Sequence, residues 1–108
     1  MNKAASKIDV TDIGAFTFKR RTMRDELRIG VEYSVLTGGV HNPTPWLDFI
    51  SNVFATLTVL TESAPDGWDI EAMDPLDAET YLKITAVYSA LIAAEKQQAS
   101  ARKNTLVA

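Results

Sequence analysis

The side chains able to do chemistry in this chain fall into three groups. An acidic run, Glu62, Asp66, Asp69, Glu71, Asp74, Asp77 and Glu79, could bind a hard cation through carboxylate oxygens. A basic cluster, Lys19, Arg20, Arg21, Arg24 and Arg28, follows the alternating aromatics Phe16 and Phe18. Arginines beside stacking aromatics suit single-stranded nucleic acid. His41 stands beside Asn42. None of the three closes into a reactive constellation. The acids do not alternate toward a glycine as a Ca²⁺ loop requires, and several stand where helices need caps. Paired-carboxylate hydrolysis needs a cleft between two carboxyl groups, and a small helical domain offers little room for one. A lone His without a paired Ser or Cys nucleophile is no catalytic argument. The chain has no Cys and one His, which excludes disulfides, thiol catalysis and thiolate or multi-His metal centres. The expectation is a protein that is not an enzyme and takes neither cofactor nor metal.

The chain has 108 residues, enough for one domain with a modest core. Hydrophobic residues make up 46% and charged residues 23%, an ordinary globular composition. The net charge of −3 argues against general nucleic-acid binding, so nucleic acid is not an expected partner. That mean hides a pattern. Residues 1–28 hold seven Lys/Arg and four Asp/Glu, residues 29–82 hold no Lys or Arg and nine Asp/Glu, and residues 83–108 hold four Lys/Arg and one Glu. A basic front, an acidic middle and a basic tail can attract within one molecule or between copies, so a homo-oligomer is open. Phe16 and Phe18 are expected to face the core, leaving the arginines to meet the acidic middle or a protein partner.

The elements that would position these groups are mostly helical. Lys7-Ile8-Asp9-Val10 and Ala15-Phe16-Thr17-Phe18-Lys19 alternate in polarity around the turn residues Thr11 to Gly14. They predict a β-hairpin over 7–19 with Ile8, Val10, Phe16 and Phe18 on one face. A hairpin alone is marginal, so that face must pack on helices. Thr22, with Asp25 three residues on, signals a helix start, and Gly38-Gly39 its end. Between them Leu27, Val31 and Val35, with Met23 before, keep helical spacing, and Gly30 would allow a close helix–helix approach. Thr44-Pro45 opens a second helix, over 45–62, with Trp46, Ile50, Val53, Leu57 and Leu60 at helical spacing and Leu47, Phe49 and Phe54 widening the stripe. The β-branched run near Thr61 weakens its end. Ala64 to Gly67 is a turn, and Trp68 to Met73 holds one short helical turn. Asp74-Pro75 signals a third helix over 75–98, with Tyr81, Ile84, Tyr88 and Leu91 along its apolar side.

The expected architecture is thus mainly α. Three helices, at 22–38, 45–62 and 75–98, follow a short N-terminal hairpin in a single domain, 1–108, with flexible tails at 1–6 and 99–108. No apolar leader is visible near the start, and the apolar stretch Trp46–Leu60 is shorter than the roughly 20 residues a membrane span needs. No membrane association is expected.

A family resemblance adds a function. The chain offers a strand pair ending in Phe16-Thr17-Phe18-Lys19-Arg20-Arg21, a helix starting Thr22-Met23-Arg24-Asp25-Glu26-Leu27, and an apolar helix beginning Pro45-Trp46-Leu47. The turn Ala64-Pro65-Asp66-Gly67-Trp68 follows, and Asp74-Pro75-Leu76-Asp77 opens the last helix. Over residues 15–95 this order resembles the small tail assembly chaperones of long-tailed bacteriophages and prophages. The resemblance implies a non-enzymatic helical protein of the host cytoplasm that binds the tape-measure protein, keeps it in solution and recruits tail-tube subunits. It supplies no catalytic residues to carry over. On this reading Trp46, Phe49 and Trp68 are apolar partner contacts, and Arg20, Arg21 and Arg24 electrostatic ones. Two other readings stand beside it. One is a small structural virion component, such as a head–tail connector or completion protein. The other is a nucleic-acid-binding regulator using the Lys19–Arg28 cluster.

Overall fold

A computed structural model describes residues 6–74 and 77–107, with side chains described as far as Ala101. The order is β1 (Ser6–Val10), β2 (Gly14–Phe18), α1 (Met23–Thr37), α2 (Pro45–Leu60), β3 (Thr61–Ser63), a 3-10 turn (Ile70–Ala72) and α3 (Ala78–Val107). The chain is mainly α with an N-terminal hairpin, as its pattern predicts.

β1 and β2 pair antiparallel with Ile8 opposite Phe16 and Val10 opposite Gly14. Residues two apart share a face, so Ile8, Val10, Phe16 and Phe18 point the same way. Phe16, Phe18 and Val10 are buried, and Ile8 packs against them. The turn brings Gly14 so close to Pro65 that an added Cβ would lie 2.5 Å from the proline Cγ. A third strand, β3, was not expected. The second helix stops at Leu60 rather than continuing to 62, and Thr61 and Ser63 pair with Phe18 and Thr17 of β2. Its β-branched run is the local reason for the change. The sheet order is β1-β2-β3.

The core lies where this sheet meets the second half of α2 and the first half of α3. Val53, Ala55, Leu57 and Leu60 of α2 join Ile84, Val87 and Leu91 of α3 and the hairpin phenylalanines. α2 is therefore covered on several sides toward its end, while at its start Trp46 and Phe49 remain exposed. Thr44 caps it, accepting from the Leu47 N–H at 3.2 Å, with Pro45 in the first turn.

α3 begins at Ala78 and runs to Val107, past the expected end near Gln98. Nothing in the stretch after Gln98 breaks a helix, and Ala, Lys and Arg propagate one well. Asp77 stands at its head. The Asp77 carbonyl accepts from the Tyr81 N–H at 3.0 Å, and its carboxylate accepts from the Thr80 hydroxyl at 2.6 Å. The expected proline start signal, Pro75, and Leu76 lie outside the described residues. Among the described residues no helix is long and apolar enough to cross a membrane.

Candidate protein-binding surface

α1 is anchored from its first turn. Thr22 and Asp25 form a reciprocal cap: the Thr22 hydroxyl accepts from the Asp25 N–H at 3.2 Å, and the Asp25 carboxylate accepts from the Thr22 N–H at 3.0 Å. Lys19 closes on the same carboxylate at 3.0 Å. Asp25 is buried. Burial by itself would push its carboxyl pKa up; the Lys19 ammonium and the Thr22 N–H and hydroxyl outweigh it and hold the group below the ordinary carboxylate range. At the other end Gly38 adopts φ 66°, the left-handed conformation that ends a helix without strain in glycine.

Between these caps α1 is turned out of the expected arrangement. Its buried residues are Asp25, Ile29 and Thr37. The stripe at helical spacing faces solvent instead: Met23 is 75% exposed, Leu27 64%, Val31 66% and Val35 68%. Ile29 on the inner side joins the core, and one side-chain hydrogen bond reaches the start of α2. The Tyr33 hydroxyl donates to Asp48 in the first turn of α2, and the Thr37 hydroxyl donates back to the Tyr33 carbonyl. Gly30 mediates no close approach within the molecule, for a Cβ added there would meet open space.

A groove of about 420 Å³ runs between α1 and the end of α2. Leu27 and Val31 form one wall and Thr58 and Val59 the other, with Arg24, Arg28 and Glu32 along the rim. Arg24 and Arg28 make no ion pair or side-chain hydrogen bond among the described residues. The site is thus an apolar channel edged by two unpaired guanidinium groups and the Glu32 carboxylate.

The six expected contact residues divide. Arg24 lines the groove. Arg20 is exposed nearby in the chain. Arg21 is instead engaged within the fold. Its Nε and Nη2 donate to the two oxygens of Glu95 on α3 at 3.0 and 2.9 Å, and Nη1 donates to Glu26 at 2.6 Å. The bidentate pair with Glu95 ties the start of α1 to α3. Trp68 is half-buried and packs edge-on against Phe16 with ring centroids 5.0 Å apart, as part of the core's margin. Trp46 and Phe49 are exposed on α2, and the Phe49 ring rests edge-on against Tyr88 at 6.1 Å. They lie outside the groove. Leu27, Val31, Val59 and Arg28 line it without having been among the expected contacts. For Leu27 and Val31 the signal in the sequence is the regular four-residue spacing from Met23 to Val35.

The chain matches no protein-family model, no curated protein and no solved structure.

Proposed function

We propose that the protein is a non-enzymatic chaperone of phage tail assembly, acting in the host cytoplasm by holding an amphipathic helix of the tape-measure protein until tail-tube subunits are recruited. The observation that carries this reading is the solvent-facing stripe Met23, Leu27, Val31 and Val35 beside the unpaired Arg24 and Arg28. An apolar groove of this kind is the receiving half of helix-in-groove recognition. Its arginine edge fits a helix whose apolar side is flanked by acidic residues. Leucine and valine give contact area, and exposed arginines give steering and orientation more than affinity. A single groove of this size binds weakly, so several copies along one long helical partner would hold it reversibly.

The test is affinity purification of the tagged chain during phage or prophage induction, alongside Leu27→Asp and Val31→Asp variants. Recovery of a very long helical protein with tail-tube subunits, lost in both variants, supports the reading. Recovery of portal or connector proteins, with the chain itself in purified particles, replaces it with a structural virion component.

A further inference from the structure

We propose that two copies of this chain join through the outer edge of β1, antiparallel about a two-fold axis that places Ile8 opposite Ile8. This surface is separate from the α1 groove and does not rest on the function proposed for it.

Among the described residues β1 is the end strand of the sheet and pairs with β2 alone. Alternate residues of such a strand direct their N–H and C=O groups outward, where another strand can complete the ladder. The opposite edge, β3, has three residues and an irregular register, which suits it poorly for pairing. Beside the outer edge of β1 lies a groove of about 1020 Å³ against α3. Ser6, Lys7 and Ile8 line one side, and Ala90, Ala94 and Gln97 are among the residues lining the other. The Gln98 side chain donates to the Ser6 hydroxyl across one end of this groove. The small alanines leave space beside Ile8, and a further strand placed along the edge would bring its own inward-facing Ile8 toward that surface.

The charges select the occupant. Lys7 and Asp9 are exposed on the outer face, and neither makes an ion pair among the described residues. A shift of one residue would put Ile8 opposite charged side chains, so an antiparallel pair must centre on Lys7, Ile8 or Asp9. Centring on Lys7 or Asp9 sets like charges face to face. Parallel pairing in register does the same twice. Centring on Ile8 puts Lys7 of each copy opposite Asp9 of the other and pairs all five residues of the strand. The segment Lys7-Ile8-Asp9 is therefore complementary to itself in one register, which is what an isologous interface requires.

The experiment measures mass in solution by sedimentation for four full-length chains: wild type, Lys7→Glu, Asp9→Lys and the double swap. Circular dichroism confirms that each is folded. Each single substitution sets like charges opposite each other twice and should weaken self-association roughly tenfold or more. The double swap restores opposite pairs and should restore the dimer. An equimolar mixture of the two single variants should form a heterodimer. A wild type that stays monomeric, single variants that still dimerise, or a mixture that does not associate overturns the proposal. Leu27→Asp, on the other surface, should leave the dimer intact.

Discussion

Asp25 does two jobs in one buried position. It completes the cap of α1 with Thr22 and neutralises Lys19. Its carboxyl is held below the ordinary value in the folded protein and returns to about 3.9 when the chain unfolds. The unfolded chain then binds more protons between those two values, so this group's contribution is fully present above about pH 4 and is lost as pH falls through the folded value. Asp25→Asn should lower stability at neutral pH by about 1–3 kcal/mol, the range for breaking a hydrogen-bonded charged pair in a buried place. The deficit should shrink on acidification, which denaturant titrations at neutral pH and near pH 3 would show. Gly14 presents a steric case. Its φ of 136° lies in the region that side chains avoid, and Pro65 fills the space where a Cβ would go. Gly14→Ala should cost about 1–3 kcal/mol, the usual range for overpacking, measured as a lower denaturation midpoint.

At the level of elements, local chemistry and the inward face of the hairpin were legible, and the face that α1 buries was not. Thr22 with Asp25, Thr44 with Pro45, and Gly38 mark helix ends by hydrogen bonds and dihedral preferences that operate within a few residues. The hairpin was legible for the same reason, since its alternation and its turn lie within one short segment. β3 was hidden because its three residues continue the apolar helix before them, and only pairing with β2 distinguishes a strand there. The face of α1 was hidden for a different reason. Periodicity shows that Met23, Leu27, Val31 and Val35 share a side, but it does not say what covers that side. Tyr33 to Asp48 and Arg21 to Glu95 join distant parts of the chain and hold α1 with that stripe outward. The candidate contact Arg24 was therefore found from charge alone, whereas Trp68 and Arg21 were drawn into packing. It follows that Leu27→Asp and Val31→Asp should abolish capture of a helical partner while changing stability by less than about 0.5 kcal/mol, the range for exposed sites. Thermal unfolding of both variants checks the second half of that statement.

Across the whole molecule the ion pairs of the basic front run to carboxylates of the front itself and of the basic tail. Lys19 and Arg21 find carboxylates at Asp25, Glu26 and Glu95, while Arg24 and Arg28 remain directed to the groove. The sheet edge and the groove are two separate surfaces, one proposed for a second copy and one for an acidic-edged helix. A dimer made through β1 would carry two grooves and could hold a long partner at two points. Substitutions at Lys7 should consequently weaken capture of a long helical protein without altering affinity for a short acidic helix. Titrating both ligands against the Lys7→Glu chain would separate the two effects.

The way α1 is attached has a consequence for motion. Among its described residues only Asp25, Ile29 and Thr37 are buried, so α1 contributes little to the apolar core that holds α2, α3 and the hairpin together. Segments with few buried apolar contacts open at a lower free energy than the rest of a protein. The backbone amides of α1 should therefore exchange with deuterium sooner than those of the core-facing half of α2. A helix laid in the groove would bridge α1 to Val59 and slow that exchange. The same helix that would meet the partner is then the part of the fold completed by it.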